Sequence, residues 1–303
     1  MNREVRNIPI TTEKGTFHVW TQRNGSSPSM RLLLLHGGPG ATHEYFKSFD
    51  TYFADSDIEF IYYDQLGSYH SDNPADHALW SIERFVDEVE QVRQALDLGP
   101  DNFYLLGQSW GGILAMEYAL AHQDKLKGLI ISNMMADCIA YQRYADEVLG
   151  PQMDPEVLKR IKELEAAGQY TSEEYEALLM SHHYVHHVLR KPTDQWPPEV
   201  IESFGHINND LYVTMQGPSE FGISGKLASW DRSGDLPDIT VPTLVIGAEY
   251  DTMDPAYMQW MSTQFPDGHY LYCSNGSHMA MWDDPEVYHR GVIDFIHQVH
   301  DRS

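Results

Sequence analysis

Apolar residues fall into two textures along the chain. Short, nearly continuous runs bounded by polar residues or glycine occur at Arg31–His36, Ile58–Tyr63, Phe103–Gly107, Leu126–Ile131 and Thr243–Gly247, with Gly268–Cys273 as a later one. Runs of this length and continuity predict strands buried on both faces. Other segments repeat every three or four positions. Trp80–Leu96 carries apolar residues at 82, 85, 86, 89, 92 and 96, and Ser81 stands ready to cap it, with Arg84 rather than Glu at the third position. That pattern predicts an amphipathic helix with a simple N-cap. Strand–helix alternation on this scale predicts an α/β fold, a mostly parallel sheet with helices on both faces. From about Met134 to Asp238 the texture changes, and helical segments follow one another without strands. Asp154-Pro155 predicts a cap with proline at the first helical position, Thr171–Glu174 a capping box, and Trp196–Glu199 a third start. The expected organisation is therefore a core built from 1–133 and 239–303, with residues 134–238 inserted as a helical lid (cap) domain over the sheet's C-terminal edge.

Composition narrows the function classes. At 303 residues, 42% hydrophobic and 21% charged, the chain has material for a large core. Its formal charge is 20 − 45 = −25. Such a surface repels phosphate, which argues against nucleic acid and anionic membranes as partners, while cationic substrates are attracted. No apolar run approaches the ~18 residues of a membrane span, and the polar start MNREVRNIPITTEKG lacks signal-peptide character, so a soluble cytoplasmic protein is expected. Cys138 and Cys273 imply neither a disulfide framework nor a zinc site.

The strongest chemical signal is Leu105–Gly112 (LLGQSWGG), which fits G-x-S-x-G between a predicted strand and a helical stretch. A strand-to-helix turn that sharp needs glycine at 107 and 111 and would leave Ser109 exposed as a nucleophile. Upstream, His36–Gly40 (HGGPG) follows a strand, where a backbone amide can serve an oxyanion hole. The donors expected are Gly38 (Gly37 as the alternative) and Trp110, with His36 shaping the loop. An acid and a histidine should follow in chain order. Asp251 lies just past the strand Thr243–Gly247, with Asp254 and Glu249 as weaker carboxylates and Asp254-Pro255 reading as a helix start. His278 follows the last strand, 278 − 251 = 27 residues on. The predicted site is thus Ser109, His278 and Asp251, needing no cofactor and no metal. His182–His187 offers i, i+4 histidines, but H-E-x-x-H is missing and a polar lid helix explains them better than a metal site.

These residues resemble the α/β-hydrolase fold, and within it the proline iminopeptidase family, especially the branch of the tricorn-interacting aminopeptidase. The resemblance is carried by HGGPG (36–40), YDQLG (63–67), GQSWGG (107–112), WPPEV (196–200), GPSEF (217–221), GAEYD (247–251) and Ser277–Met279 with Trp282. It implies an aminopeptidase that releases an N-terminal residue, often proline, from short peptides or amino-acid amides with a free N-terminus. It also implies that Glu220 pairs with the substrate's α-ammonium. One position departs: relatives carry a second acidic residue after the catalytic acid, where this chain has Thr252. That leaves Glu249 as a second candidate for the ammonium and an amino-acid amidase or esterase as the alternative activity. Phe221, Tyr212 and Trp230 are candidates for the apolar pocket.

Overall fold

A computed structural model describes residues 2–302. Its strands are β1 (Arg3–Thr12), β2 (Gly15–Asn24), β3 (Arg31–Leu35), β4 (Glu59–Asp64), β5 (Phe103–Gln108), β6 (Gly128–Ser132), β7 (Thr243–Ala248) and β8 (Gly268–Cys273). They form one sheet in the order β1-β2-β4-β3-β5-β6-β7-β8. The pairings from β4 to β8 are parallel, and β1 and β2 add an antiparallel edge. The fold is that of an α/β-hydrolase. Strand side chains alternate between faces, which explains why the central runs are apolar throughout. Leu33, Leu35 and Leu105 join the core under α1 (Ile82–Ala95) and α2 (Trp110–His122). Leu32, Leu34 and Leu106 point the other way, into a second core with Phe46, Phe49 and Phe295.

The β1–β2 hairpin was not expected from the sequence. Of β1 only Ile8 and Ile10 are buried, so the strand presents no continuous apolar run. It exists because its backbone pairs with β2, which in turn pairs with β4. Ser81 caps α1 as expected, its hydroxyl accepting from the Arg84 amide.

Between β6 and β7 the secondary structure among the described residues is helical, apart from an isolated bridge between Asp137 and Asp231. Its longer helices are α3 (Cys138–Tyr144), α4 (Pro155–Ala166), α5 (Glu173–Leu179), α6 (Pro198–Gly205) and α7 (Asn209–Met215). This segment has a small core of its own, including Leu149, Ile161, Leu164, Tyr175 and Phe221. Asp154 caps α4 with Pro155 behind it, as the sequence predicts. The start of α5 is corrected by one residue. Ser172, not Thr171, accepts from the amide three positions on, that of Tyr175. After β7 the alternation resumes with α8 (Pro255–Ser262), capped by Asp254, and ends with α9 (Pro285–Asp301). Among the described residues no helix is long and apolar enough to cross a membrane.

Candidate active site

Ser109 sits where β5 turns into α2, with φ 57° and ψ −128°. A non-glycine residue held there is strained, and the surroundings must enforce it. The enforcement is visible in the flanking glycines. A Cβ on Gly107 would lie 1.9 Å from the Gly111 carbonyl oxygen, and one on Gly111 would lie 2.0 Å from that of Leu35. Only glycine lets the strand, turn and helix cross this closely. A Cβ on Gly37 would come within 3.3 Å of Ser109 Oγ, so the loop after β3 rests against the nucleophile.

That loop is wired by side chains. His36 Nδ1 donates to the Gly37 carbonyl at 2.9 Å, and its Nε2 accepts from the Gln65 amide at 3.1 Å. Burial lowers the His36 pKa to about 4, so the ring is a neutral structural strut rather than a base. Gln65 also accepts from Trp110 Nε1 at 2.8 Å, which ties the loop to the helix behind Ser109. The Gly37 amide donates to the Tyr45 hydroxyl at 2.6 Å. It is therefore engaged and not an oxyanion donor, which leaves Gly38 and Trp110 from the predicted set.

His278 and Asp251 meet as predicted. His278 Nδ1 donates to Asp251 Oδ1 at 2.8 Å, both side chains being buried. Burial pulls the His278 pKa down, but the charge and hydrogen bond of Asp251, then the charge of Glu220, outweigh it and leave it raised. Two partners of this pair escaped the sequence reading. Asn133, in the left-handed region at φ 54°, donates from Nδ2 to Asp251 Oδ2 at 2.7 Å. Thr252 places its hydroxyl 3.3 Å from Asp251 Oδ1 and 3.2 Å from His278 Nδ1. No motif marks Asn133. Its one available signal is its place just past the end of β6, an edge where functional groups collect.

Ser109, His278, Gly37, Gly38 and Glu220 line one cavity of about 370 Å³. His278 Nε2 is buried there with no hydrogen-bond partner among the described residues, and Glu220 Oε2 stands 3.7 Å from it. Glu220 is held firmly. Its Oε1 accepts from Tyr212 at 2.6 Å, and its backbone is bonded by Tyr141, His183 and Tyr184. Burial lowers the His183 pKa to about 3, and its Nε2 donates to the Glu220 carbonyl. Glu249, by contrast, is not brought to Ser109. It is exposed, accepts from the Tyr272 hydroxyl, and lines a separate cavity behind Asp251. Of the aromatic candidates, Tyr212 lines the Ser109 cavity. Phe221 packs instead into the core of the helical segment, and Trp230 donates to Glu117 of α2. The apolar lining comes rather from Leu179, Met180, Tyr184, Val188 and Phe204, residues of the helical segment between β6 and β7.

Comparison with known proteins fits this geometry. Residues 31–285 match the family described as alpha/beta hydrolase fold. A proline iminopeptidase of Flavobacterium johnsoniae is 55% identical over 296 residues, covering 98% of this chain and 99% of that protein. One of Elizabethkingia meningoseptica is 53% identical over 298 residues, with 98% and 99% covered. Among solved structures, VinJ superposes with a TM-score of 0.88 at 30% identity, covering 97% of this chain and 99% of that one. The proline iminopeptidase of Mycobacterium smegmatis does so with a TM-score of 0.84, also at 30% identity, covering 98% and 99%. With this similarity running from end to end, the chain belongs to the proline iminopeptidase family of α/β-hydrolases.

Proposed function

We propose that this protein is a cytoplasmic serine aminopeptidase that releases an N-terminal residue, proline foremost, from short peptides with a free amino terminus. The observation that carries the reading is the convergence of Glu220 on the cavity that holds Ser109 and His278. A carboxylate in a largely apolar cavity is costly unless a cation pairs with it. The α-ammonium of an unblocked substrate supplies that cation and is thereby placed one residue from the scissile bond. Residues 134–238, which contribute Glu220 and most of the apolar lining, act as the lid. Two buried, unpaired cysteines are in keeping with a reducing compartment.

The chemistry follows from the groups present. Ser109 Oγ attacks the substrate carbonyl while His278 Nε2 takes its proton, and Asp251 holds the ring and stabilises its cationic form. The Gly38 and Trp110 amides receive the oxyanion. The leaving amine takes the proton from His278, and water then releases the amino acid by the same steps. Among the described residues no group bonds Nε2, which leaves that nitrogen free to take the Ser109 proton.

A panel of aminoacyl arylamides, each free and N-acetylated, tests this. Prolyl arylamide should be turned over, and N-acetylprolyl arylamide should lose at least tenfold in kcat/KM. Ser109→Ala should abolish turnover and stoichiometric labelling by a fluorophosphonate while leaving Tm unchanged. Equal rates for blocked and free substrates would favour a general amidase or esterase and overturn the aminopeptidase reading.

A further inference from the structure

Within the Ser109 cavity, the charged group that stands nearest the reactive nitrogen of the base is Glu220. Its Oε2 stands 3.7 Å from His278 Nε2, which no group among the described residues bonds. The carboxylate assigned to the substrate's ammonium therefore also acts on the imidazole directly. We propose that Glu220 couples substrate recognition to the general base: its carboxylate holds a proton on His278 Nε2 in the empty site, and an ammonium that pairs with Glu220 releases that proton to solvent. An unblocked N-terminus would then both dock the substrate and prepare the base that attacks it. This inference rests on the aminopeptidase reading above and adds a second task for Glu220.

The other groups around the imidazole leave this role to the carboxylates. Asp251 bonds Nδ1 from the loop after β7, and Asp283 adds a more remote charge from the turn that follows His278. His183, on the segment after α5, stays neutral because burial lowers its pKa to about 3, and burial also lowers that of His187. The phenols of Tyr45, Tyr141 and Tyr212 are pushed well above their ordinary range by burial, so they too stay neutral. Thr252 and the backbone partners of His278 carry no charge. Asp251 and Asp283 are not reached by the ammonium in this arrangement, so Glu220 is the charge that substrate binding cancels. The sign follows: an anion beside the imidazolium raises its pKa, and neutralising that anion lowers it.

Kinetics across pH read this out. The acid limb of kcat/KM reports His278 in the free enzyme, and that of kcat reports it in the complex. With prolyl p-nitroanilide, the kcat limb should lie about one pH unit below the kcat/KM limb, the size of a single charge–charge effect in a partly screened site. With the p-nitrophenyl ester of cyclopentanecarboxylic acid, which has the ring but no ammonium, the two limbs should coincide. In Glu220→Gln, the kcat/KM limb for this ester should itself fall by about one unit. Retained ester hydrolysis shows that the variant is folded, and the two wild-type profiles decide the matter even if it is not. If Glu220→Gln raises KM for the anilide alone but every limb stays in place, ammonium recognition stands and the coupling is refuted. If the variant raises KM for anilide and ester by the same factor, the recognition reading fails, and the coupling fails with it.

Discussion

Within the Ser109–His278–Asp251 set, the Asp251–His278 pair is held by neighbours that the sequence does not advertise. Asp251 accepts from Asn133 at 2.7 Å, and Asn133 is itself fixed by Ser132, whose hydroxyl donates to its Oδ1 at 2.7 Å. A hydrogen bond to a buried charge is worth ~1.5–3 kcal/mol, so its loss corresponds to roughly 10–100-fold in rate when it serves the transition state. Asn133→Ala should therefore lower kcat for prolyl p-nitroanilide by about that factor while KM stays within about twofold. A rise in KM with kcat unchanged would make Asn133 part of substrate binding rather than a positioning residue for Asp251. The positions of Ser109 at a strand-to-helix turn and of Asp251 and His278 past strand ends were legible because G-x-S-x-G and the strand–helix alternation impose chain order. Asn133 and Tyr45 were not legible, because their roles arise from contacts across strands that no local pattern records. Thr252 shows the opposite error. Its missing charge drew attention, whereas the structure uses its hydroxyl at the Asp251–His278 pair.

At the scale of elements, the turn between β5 and α2 is the part that tolerates least. The atoms that crowd a Cβ at Gly107 or Gly111 belong to the backbone at 1.9 and 2.0 Å, and no rotamer change can relieve them. Overpacking relieved by side-chain shifts costs ~1–3 kcal/mol, and a clash with backbone exceeds that. Gly107→Ala should thus lower Tm by well over the ~2 °C expected per kcal/mol in a chain of this size and abolish fluorophosphonate labelling together with stability. Labelling at wild-type rate would show that the turn opens without loss. Continuous apolar strands and capped helices were readable for the same reason that this turn was: each is dictated by a local period or cap. The β1–β2 hairpin escaped because edge strands bury few side chains, and its cause lies in pairing with β4 rather than in its own hydrophobicity.

Taken as a whole, the molecule carries a formal charge of −25, so acidification relieves repulsion between its surface carboxylates. Its interior pulls the other way. Burial lowers the pKa values of His36, His183 and His289 to about 4, 3 and 3. Below the ordinary histidine value of ~6.5, the unfolded chain takes up protons that these folded sites refuse. The stability they contribute is present above pH ~6.5 and is lost as pH falls toward the folded values. Each group then adds a slope of up to ~1.4 kcal/mol per pH unit. Surface repulsion between separated charges is screened beyond ~8 Å at physiological salt, whereas the buried rings are not. The interior should therefore win between about pH 6 and 5, with ΔG of unfolding falling as pH falls. His289 offers a clean test, since it stacks on Tyr52 and packs against Phe49 and does not line the Ser109 cavity. His289→Phe keeps the aromatic packing and removes one titrating group. Denaturant unfolding across this range should show the slope reduced by about one proton's worth, whatever the change in absolute stability. An unchanged slope would mean that His289 titrates alike in the folded and unfolded chain, and that acid lability originates among the carboxylates instead.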